Sequence, residues 1–267
     1  MMSRFKQLWV MMEVIVSSCY CLSMVQAKCP NVGAEELFPC LCFQDTGDIF
    51  CRSQDGRSFD DESMERIFKT IKSKSTSSSS STDGNGLSFG KLTLTQTDIT
   101  NIPESIFSGM TFTEIVIRYN FKLRSLHERS FESSKDVTRN ISFGEIGSFY
   151  DMANIGPISL NFLKIFTQLD NIFLNALNIG HFDQNIFKPL ITGSKKTKLY
   201  LNSLLIDCNC KNKWLYQESL LDRNLILNPN LTGIPKDMIN PISCRHPRIG
   251  SIVPMRALSI FDFTNCS

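Results

Sequence analysis

The sequence predicts an α/β fold: a short right-handed solenoid whose turns build one parallel, concave sheet, closed at each end by a disulfide-bonded cap. Three observations carry this expectation. Apolar positions in the middle of the chain recur at a fixed step, the cysteines gather in two groups near the ends, and the chain opens on a segment of secretory type.

A fixed internal period decides the architecture before any single element is assigned. Phe89, Leu92, Leu94, Thr97, Ile99, Ile102 and Phe107 fall on the leucine-rich template L-x-x-L-x-L, with Pro103 after its last turn. Phe112, Ile115, Ile117, Asn120, Leu123, Leu126 and Phe131 fall on it again. Ile99, Ile102 and Phe107 lie 24 residues before Leu123, Leu126 and Phe131 (123−99, 126−102, 131−107). A third unit starts at Ile141 and Phe143 and loses the pattern until Leu169. A fourth runs through Leu169, Ile172, Leu174, Leu177, Ile179, Phe182 and Phe187, and a fifth begins at Leu199 and Leu201.

In such a template the second and third apolar residues point inward from a short strand, and strands of successive turns pair in parallel. The Asn at the ninth position normally bonds the backbone of neighbouring turns. Here it survives at Asn120; Thr97 partly substitutes for it, and Leu177 does not. The steps between Leu92, Ile115, Ile141, Ile172 and Leu199 are 23, 26, 31 and 27 residues, so the turns are irregular. About five irregular coils are expected over residues 87–206.

Solenoid ends expose an apolar edge and need caps. Of the ten Cys, Cys19 and Cys21 lie in the leader. The other eight form two groups: Cys29, Cys40, Cys42 and Cys51, then Cys208, Cys210, Cys244 and Cys266. An even number in a secreted chain implies disulfides, with three connectivities open within each group of four. Residues 1–27 read as a signal peptide: Arg4 and Lys6 precede an apolar run from Leu8 to Val16, and Val25-Gln26-Ala27 offers a cleavage site. An uncleaved anchor is the alternative, and Glu13 interrupts its apolar run. No later stretch is long and apolar enough to span a bilayer, and the chain ends at Ser267 without a hydrophobic tail. The expected location is secreted and extracellular, where the sequons at Asn140 and Asn230 would accept glycans; a third, at Asn265, precedes a cysteine expected to be bridged.

Residues 28–72 form the expected N-terminal cap and a short helix from Asp60 to Lys72, with Met64, Ile67, Phe68 and Ile71 on one face and Asp60 or Asp61 as its cap. Residues 73–86, rich in Ser, are expected to be a flexible loop, and residues 207–267 the C-terminal cap. With 42% apolar and 20% charged residues and a net charge of +2, the composition argues neither for a nucleic-acid surface nor for an acidic tail.

Cys29-Pro30, Cys40-x-Cys42 and Cys51 resemble the N-terminal flanking cap of extracellular leucine-rich-repeat proteins. Asp207-Cys208-Asn209-Cys210, Trp214-Leu215, Cys244-x-x-Pro247 and Cys266 resemble their C-terminal flanking cap. Caps and repeats together cover essentially the whole mature chain. The resemblance implies the pairs Cys29–Cys42, Cys40–Cys51, Cys208–Cys244 and Cys210–Cys266. The N-terminal wording, with Glu-Leu-Phe-Pro-Cys-Leu-Cys, is also similar to arthropod secreted proteins that resemble the non-catalytic subunit of a shrimp luciferase, a likeness that implies no catalysis. The weak Asn ladder and the Ser-rich insertion depart from the general pattern and leave the coil count open.

Motifs that would carry chemistry are sparse. Gly86-Leu87-Ser88-Phe89-Gly90 matches G-x-S-x-G, the nucleophile elbow of hydrolases, but that chemistry needs a strand, a strained turn and a helix. Here a Ser-rich stretch precedes it and a repeat strand follows. His127, His181 and His246 lie in separate units with no acidic partner at a telling spacing. C-x-C spacing and an oxidising compartment favour disulfides over zinc, and no calcium- or phosphate-loop pattern occurs. No catalytic residue, metal or cofactor is therefore expected.

Positions flanking the inward residues should face solvent on the concave sheet: Lys91, Thr93 and Thr95; Glu114, Val116 and Arg118; Asn171, Phe173 and Asn175; Lys198, Tyr200 and Asn202. An aromatic stripe of Tyr119, Phe173 and Tyr200, with Arg118 and Lys198 beside it, is the expected recognition surface. The function expected is a binding module for an extracellular protein or glycan, and not an enzyme. The alternatives are a non-catalytic subunit stabilising a secreted enzyme and a serine hydrolase using Ser88.

Overall fold

A computed structural model describes residues 29–30, 32–76, 86–146, 157–192, 197–214, 225–226, 242–246 and 251–254. The expected signal peptide, the sequons at Asn230 and Asn265, and Cys266 lie outside the described residues. Among the described residues no helix is long and apolar enough to cross a membrane.

The chain is a mixed α/β structure built on parallel sheets. Its largest sheet has eight strands: β1 (Cys40–Phe43), β2 (Asp48–Cys51), β3 (Leu87–Thr95), β5 (Met110–Arg118), β7 (Asn140–Gly144), β8 (Asn171–Asn175), β10 (Lys198–Asn202) and β12 (Leu225–Ile226), neighbours in that order. Only the β1–β2 hairpin is antiparallel; every later pair is parallel. A second sheet holds β9 (Asn178–Gly180), β11 (Leu204–Asp207), β13 (Ile242–Arg245) and β14 (Ile252–Pro254), with β14 antiparallel. β4 (Asn101–Ile102) and β6 (Ser125–Leu126) form a small parallel pair.

The register follows the apolar period. Leu92, Ile115, Ile141, Ile172 and Leu199 are successive partners across five strands, and so are Leu94, Ile117, Phe143, Leu174 and Leu201. All ten are buried. Uneven steps in sequence are thus absorbed between strands, because a one-residue slip would turn each apolar set to solvent. The 24-residue equivalents also meet: Ile102 pairs with Leu126, and the Phe107 and Phe131 rings stack at 4.9 Å. Phe68, Phe107, Phe131, Phe162 and Phe143 continue as a file of ring contacts through one contiguous core.

Polar groups inside this core are paired. The Asn120 carboxamide is fully buried; it donates to the Leu94 carbonyl at 2.9 Å and accepts from the Thr97 amide and hydroxyl at 3.0 and 2.7 Å. Thr97 is therefore a partner of the Asn rather than its substitute. Where no Asn recurs, other side chains serve the backbone. The Ser134 and Thr138 hydroxyls bond the amide and carbonyl of Phe112, and Asn212 donates to the carbonyls of Gly180 and Asp207.

Among the described residues three α-helices complete the fold: α1 (Ala34–Leu37), α2 (Asp61–Thr76) and α3 (Gln184–Thr192). α2 buries Met64, Ile67, Phe68 and Ile71, and the Asp60 carboxylate caps it by accepting from the Ser63 amide at 3.0 Å. Asp61 instead accepts from the Thr100 amide at 2.7 Å, tying the helix to the chain before β4. α2 runs to Thr76, four residues past the expected end, so the first four residues assigned to a flexible loop are helical. Hydroxyl groups there bond back along the helix, Ser73 to the Thr70 carbonyl at 3.0 Å, and Lys74 pairs with Glu36 at 3.5 Å. The rest of that stretch, 77–85, lies outside the described residues.

Disulfides join Cys29 to Cys42, Cys40 to Cys51 and Cys208 to Cys244, the pairs the resemblance implies. Cys210 is also disulfide-bonded, and its expected partner Cys266 lies outside the described residues. These bonds and the absence of a membrane-spanning helix among the described residues are compatible with an extracellular protein.

Candidate functional site: the solvent face of the large sheet

Strand alternation sends one set of side chains into the core and the other to solvent. On the solvent side the register aligns one residue from each strand into a central row: Leu41, Phe50, Thr93, Val116, Ser142, Phe173 and Tyr200. Every member is uncharged, and none is fully buried. A flanking row runs Lys91, Glu114, Asn140, Asn171 and Lys198, and on the other side run Thr95, Arg118, Gly144, Asn175 and Asn202. Charged groups thus stand beside the uncharged row and not in it, the arrangement of an interface core with a polar rim.

Phe173 and Tyr200 occupy adjacent strands and their rings stack at 4.4 Å between centroids, 8° from parallel. Such a pair holds both rings upright and makes each a rigid wall. Tyr119 does not join them. It follows β5 in a left-handed backbone conformation, φ 58°, two strands away from Phe173, and is 41% exposed. Arg118 sits over its ring at 5.3 Å. Lys198 is exposed at the start of β10.

The polar rows cross-link the strands. Lys91 pairs with Glu114 at 3.0 Å, and the Asn171 side-chain Nδ2 donates to the Asn140 side-chain Oδ1 at 2.8 Å. Arg118 grips the Glu145 carboxylate through Nε and Nη2 at 2.8 and 2.7 Å. Glu145 also accepts from Asn175, which accepts from Asn202 at 2.7 Å, so one polar chain ties β5 to β10. The hydrogen bond to Glu145 pushes the Arg118 pKa further above its ordinary value. Glu145 and Ser142 were missed because the repeat pattern fades after Phe143. The alternation Asn140-Ile141-Ser142-Phe143 was the available signal that Asn140 and Ser142 share a face.

A concavity of about 230 Å³ is lined by Ile158, Leu160, Ile179, His181, Asp183 and Phe187. Asp183 there pairs with Lys164 at 3.7 Å. Ser88 lies inside the continuous strand β3, opposite Thr111, so the sharp strand-to-helix turn of a nucleophile elbow is not formed at it. His127 accepts from the Arg129 amide through Nδ1. Among the described residues no group of His, Cys, Asp and Glu gathers that would hold a metal ion.

No family model, curated protein or solved structure matches this chain.

Proposed function

We propose that the chain is a secreted, disulfide-capped leucine-rich-repeat solenoid, and that the concave face of its sheet binds an extracellular protein or glycan. The stacked Phe173–Tyr200 pair carries this reading. Two large rings stand on the solvent side of a sheet, in an uncharged row flanked by polar groups. A monomer with no use for that face would lose nothing by replacing them with polar residues, whereas aromatic anchors supply most of the energy of interfaces. The strands are held in register by core side chains and by the polar chain from Arg118 to Asn202, so little ordering would be needed on binding.

The test is capture of a partner from native extracellular fluid by the immobilised protein. Replacing Tyr119, Phe173 and Tyr200 together by Ala should weaken capture at least tenfold while thermal unfolding stays within a few degrees of the parent. Unchanged capture would refute the assignment of the face.

A further inference from the structure

Within that face, and resting on its reading as a binding surface, we propose that β7, β8 and β10 form a subsite for a neutral oligosaccharide. Among the described residues, the Phe173 ring stacks on Tyr200 on one side and on no other ring. Its other side faces β7, where the central row carries the small Ser142. The next wall beyond is Val116 on β5, two strand spacings or roughly 9.6 Å from Phe173. Gly144, the next solvent-side position on β7, has no room for a side chain, because a Cβ there would fall 2.3 Å from the Asn175 carbonyl oxygen. The result is a slot about one ring thick, with Phe173 as a flat wall and Ser142 as its floor.

The polar groups around the slot select the chemistry. Asn140 and Asn171 stand on one side of it, and a carboxamide both donates and accepts. Vicinal hydroxyls need that pairing, and the C–H face of a pyranose ring packs on an aromatic face. Across the three strands only Lys198 is charged, so a phosphorylated or sulfated ligand lacks the cation cluster it requires. A cationic ligand lacks a free carboxylate, since Glu145 is held by Arg118 and Asn175. Among the described residues, amides and an aromatic wall without net charge fit a neutral sugar better than the charged rim of a protein partner.

The experiment uses the full-length secreted protein and soluble tetrasaccharides of β1→4-linked glucose, mannose and N-acetylglucosamine, with binding read by calorimetry. At least one should bind. Phe173→Leu, which keeps apolar bulk and removes the flat ring, should weaken it at least tenfold, whereas Phe173→Tyr should retain it. Capture from extracellular fluid should fall when the fluid is treated with glycosidases. Equal binding by Phe173→Leu and the parent overturns the proposal. So does Phe173-dependent capture that survives glycosidase treatment when no tetrasaccharide binds, an outcome that assigns the face to a protein partner. Loss of dependence on Phe173 in both assays overturns the binding face itself.

Discussion

Arg118 and Glu145 form a two-point ion pair across the end of the sheet, with Arg118 Nε and Nη2 donating to the two carboxylate oxygens at 2.8 and 2.7 Å. The Glu145 side chain is only 13% exposed, which limits screening by water. Glu145 also receives the Asn175 amide, so it joins three strands at one point. Glu145→Ala leaves both donors short of a partner and should cost about 1–3 kcal/mol in chemical unfolding. A double-mutant cycle with Arg118→Ala should return a coupling energy above the ~0.5 kcal/mol expected of an exposed pair. Additive effects would show that the two residues act independently.

Asn120 is the one repeat Asn in its expected place, and its surroundings explain why Ala would not serve there. Its carboxamide supplies the Leu94 carbonyl and accepts the amide and hydroxyl of Thr97, all in the core. Asn120→Ala strands these groups without water and should destabilise the protein by about 2–4 kcal/mol. Asn120→Asp should be worse at neutral pH, since it loses the donor and buries a charge. Guanidinium unfolding of both variants measures this, and near-parental stability of either would contradict the buried geometry.

Gln96, Tyr119, Glu145, Ala176 and Ser203 each follow a strand of the large sheet with φ between 46° and 58°. The chain turns sharply directly after each of these five strands, and none of the five residues is Gly. Left-handed backbone costs a non-glycine residue about 1–2 kcal/mol. At exposed Gln96, a Gly substitution removes that cost and loses part of it to unfolded-chain entropy, for a net gain of about 0.5–1 kcal/mol. The β-branched Gln96→Val should lose stability instead. Denaturant midpoints in the opposite order would contradict the backbone assignment.

These turns mark where sequence reading stopped. Periodic apolar residues fixed the register, because burying Leu92 and Leu94 leaves no freedom to slip against Ile115 and Ile117. The left-handed turns left no trace, since Gln, Tyr, Glu, Ala and Ser share no chemistry that marks φ. Phe173 and Tyr200 were legible as solvent-facing from alternation alone. Their separation from Tyr119 by two strands was legible in the order of the units, whereas the left-handed turn that takes Tyr119 off its strand was not. Glu145 was illegible for the same reason: it lies one residue past β7, where alternation no longer applies.

Asp98 links the N-terminal segment to the second turn of chain. Lys122 sits 2.7 Å from its carboxylate, and the hydroxyls of Ser58 and Ser53 donate to it at 2.7 and 3.2 Å. The hydrogen bond from Lys122, then that from Ser58, holds the Asp98 pKa below the ordinary carboxylate value. A carboxylate depressed in the folded state contributes stability above its unfolded pKa of about 3.9 and loses it as pH falls through the folded value. Asp98→Asn should therefore cost about 0.5–1 kcal/mol at pH 7, a modest effect because the pair is partly exposed. The gap between variant and parent should close as pH falls below 4. A gap that persists in acid would assign the loss to packing rather than charge.

Asn140 and Ser142 are the first and third residues of a glycosylation sequon and stand on the solvent side of β7, beside Asn171 and Phe173. A glycan attached at Asn140 would place its first sugar diagonally across from Phe173, within the reach of cross-strand neighbours. Tethered there, it would act as a ligand at an effective concentration near millimolar and compete with any free oligosaccharide. Asn140→Gln keeps a carboxamide and removes the acceptor asparagine. Protein from a secreting host should then bind the tetrasaccharide at least several-fold more tightly as Asn140→Gln than as the parent. Mass spectrometry of the parent should show Asn140 occupied. Occupancy at Asn140 with identical affinities would mean that the slot lies beyond the reach of the attached sugar and stays open in the glycosylated protein.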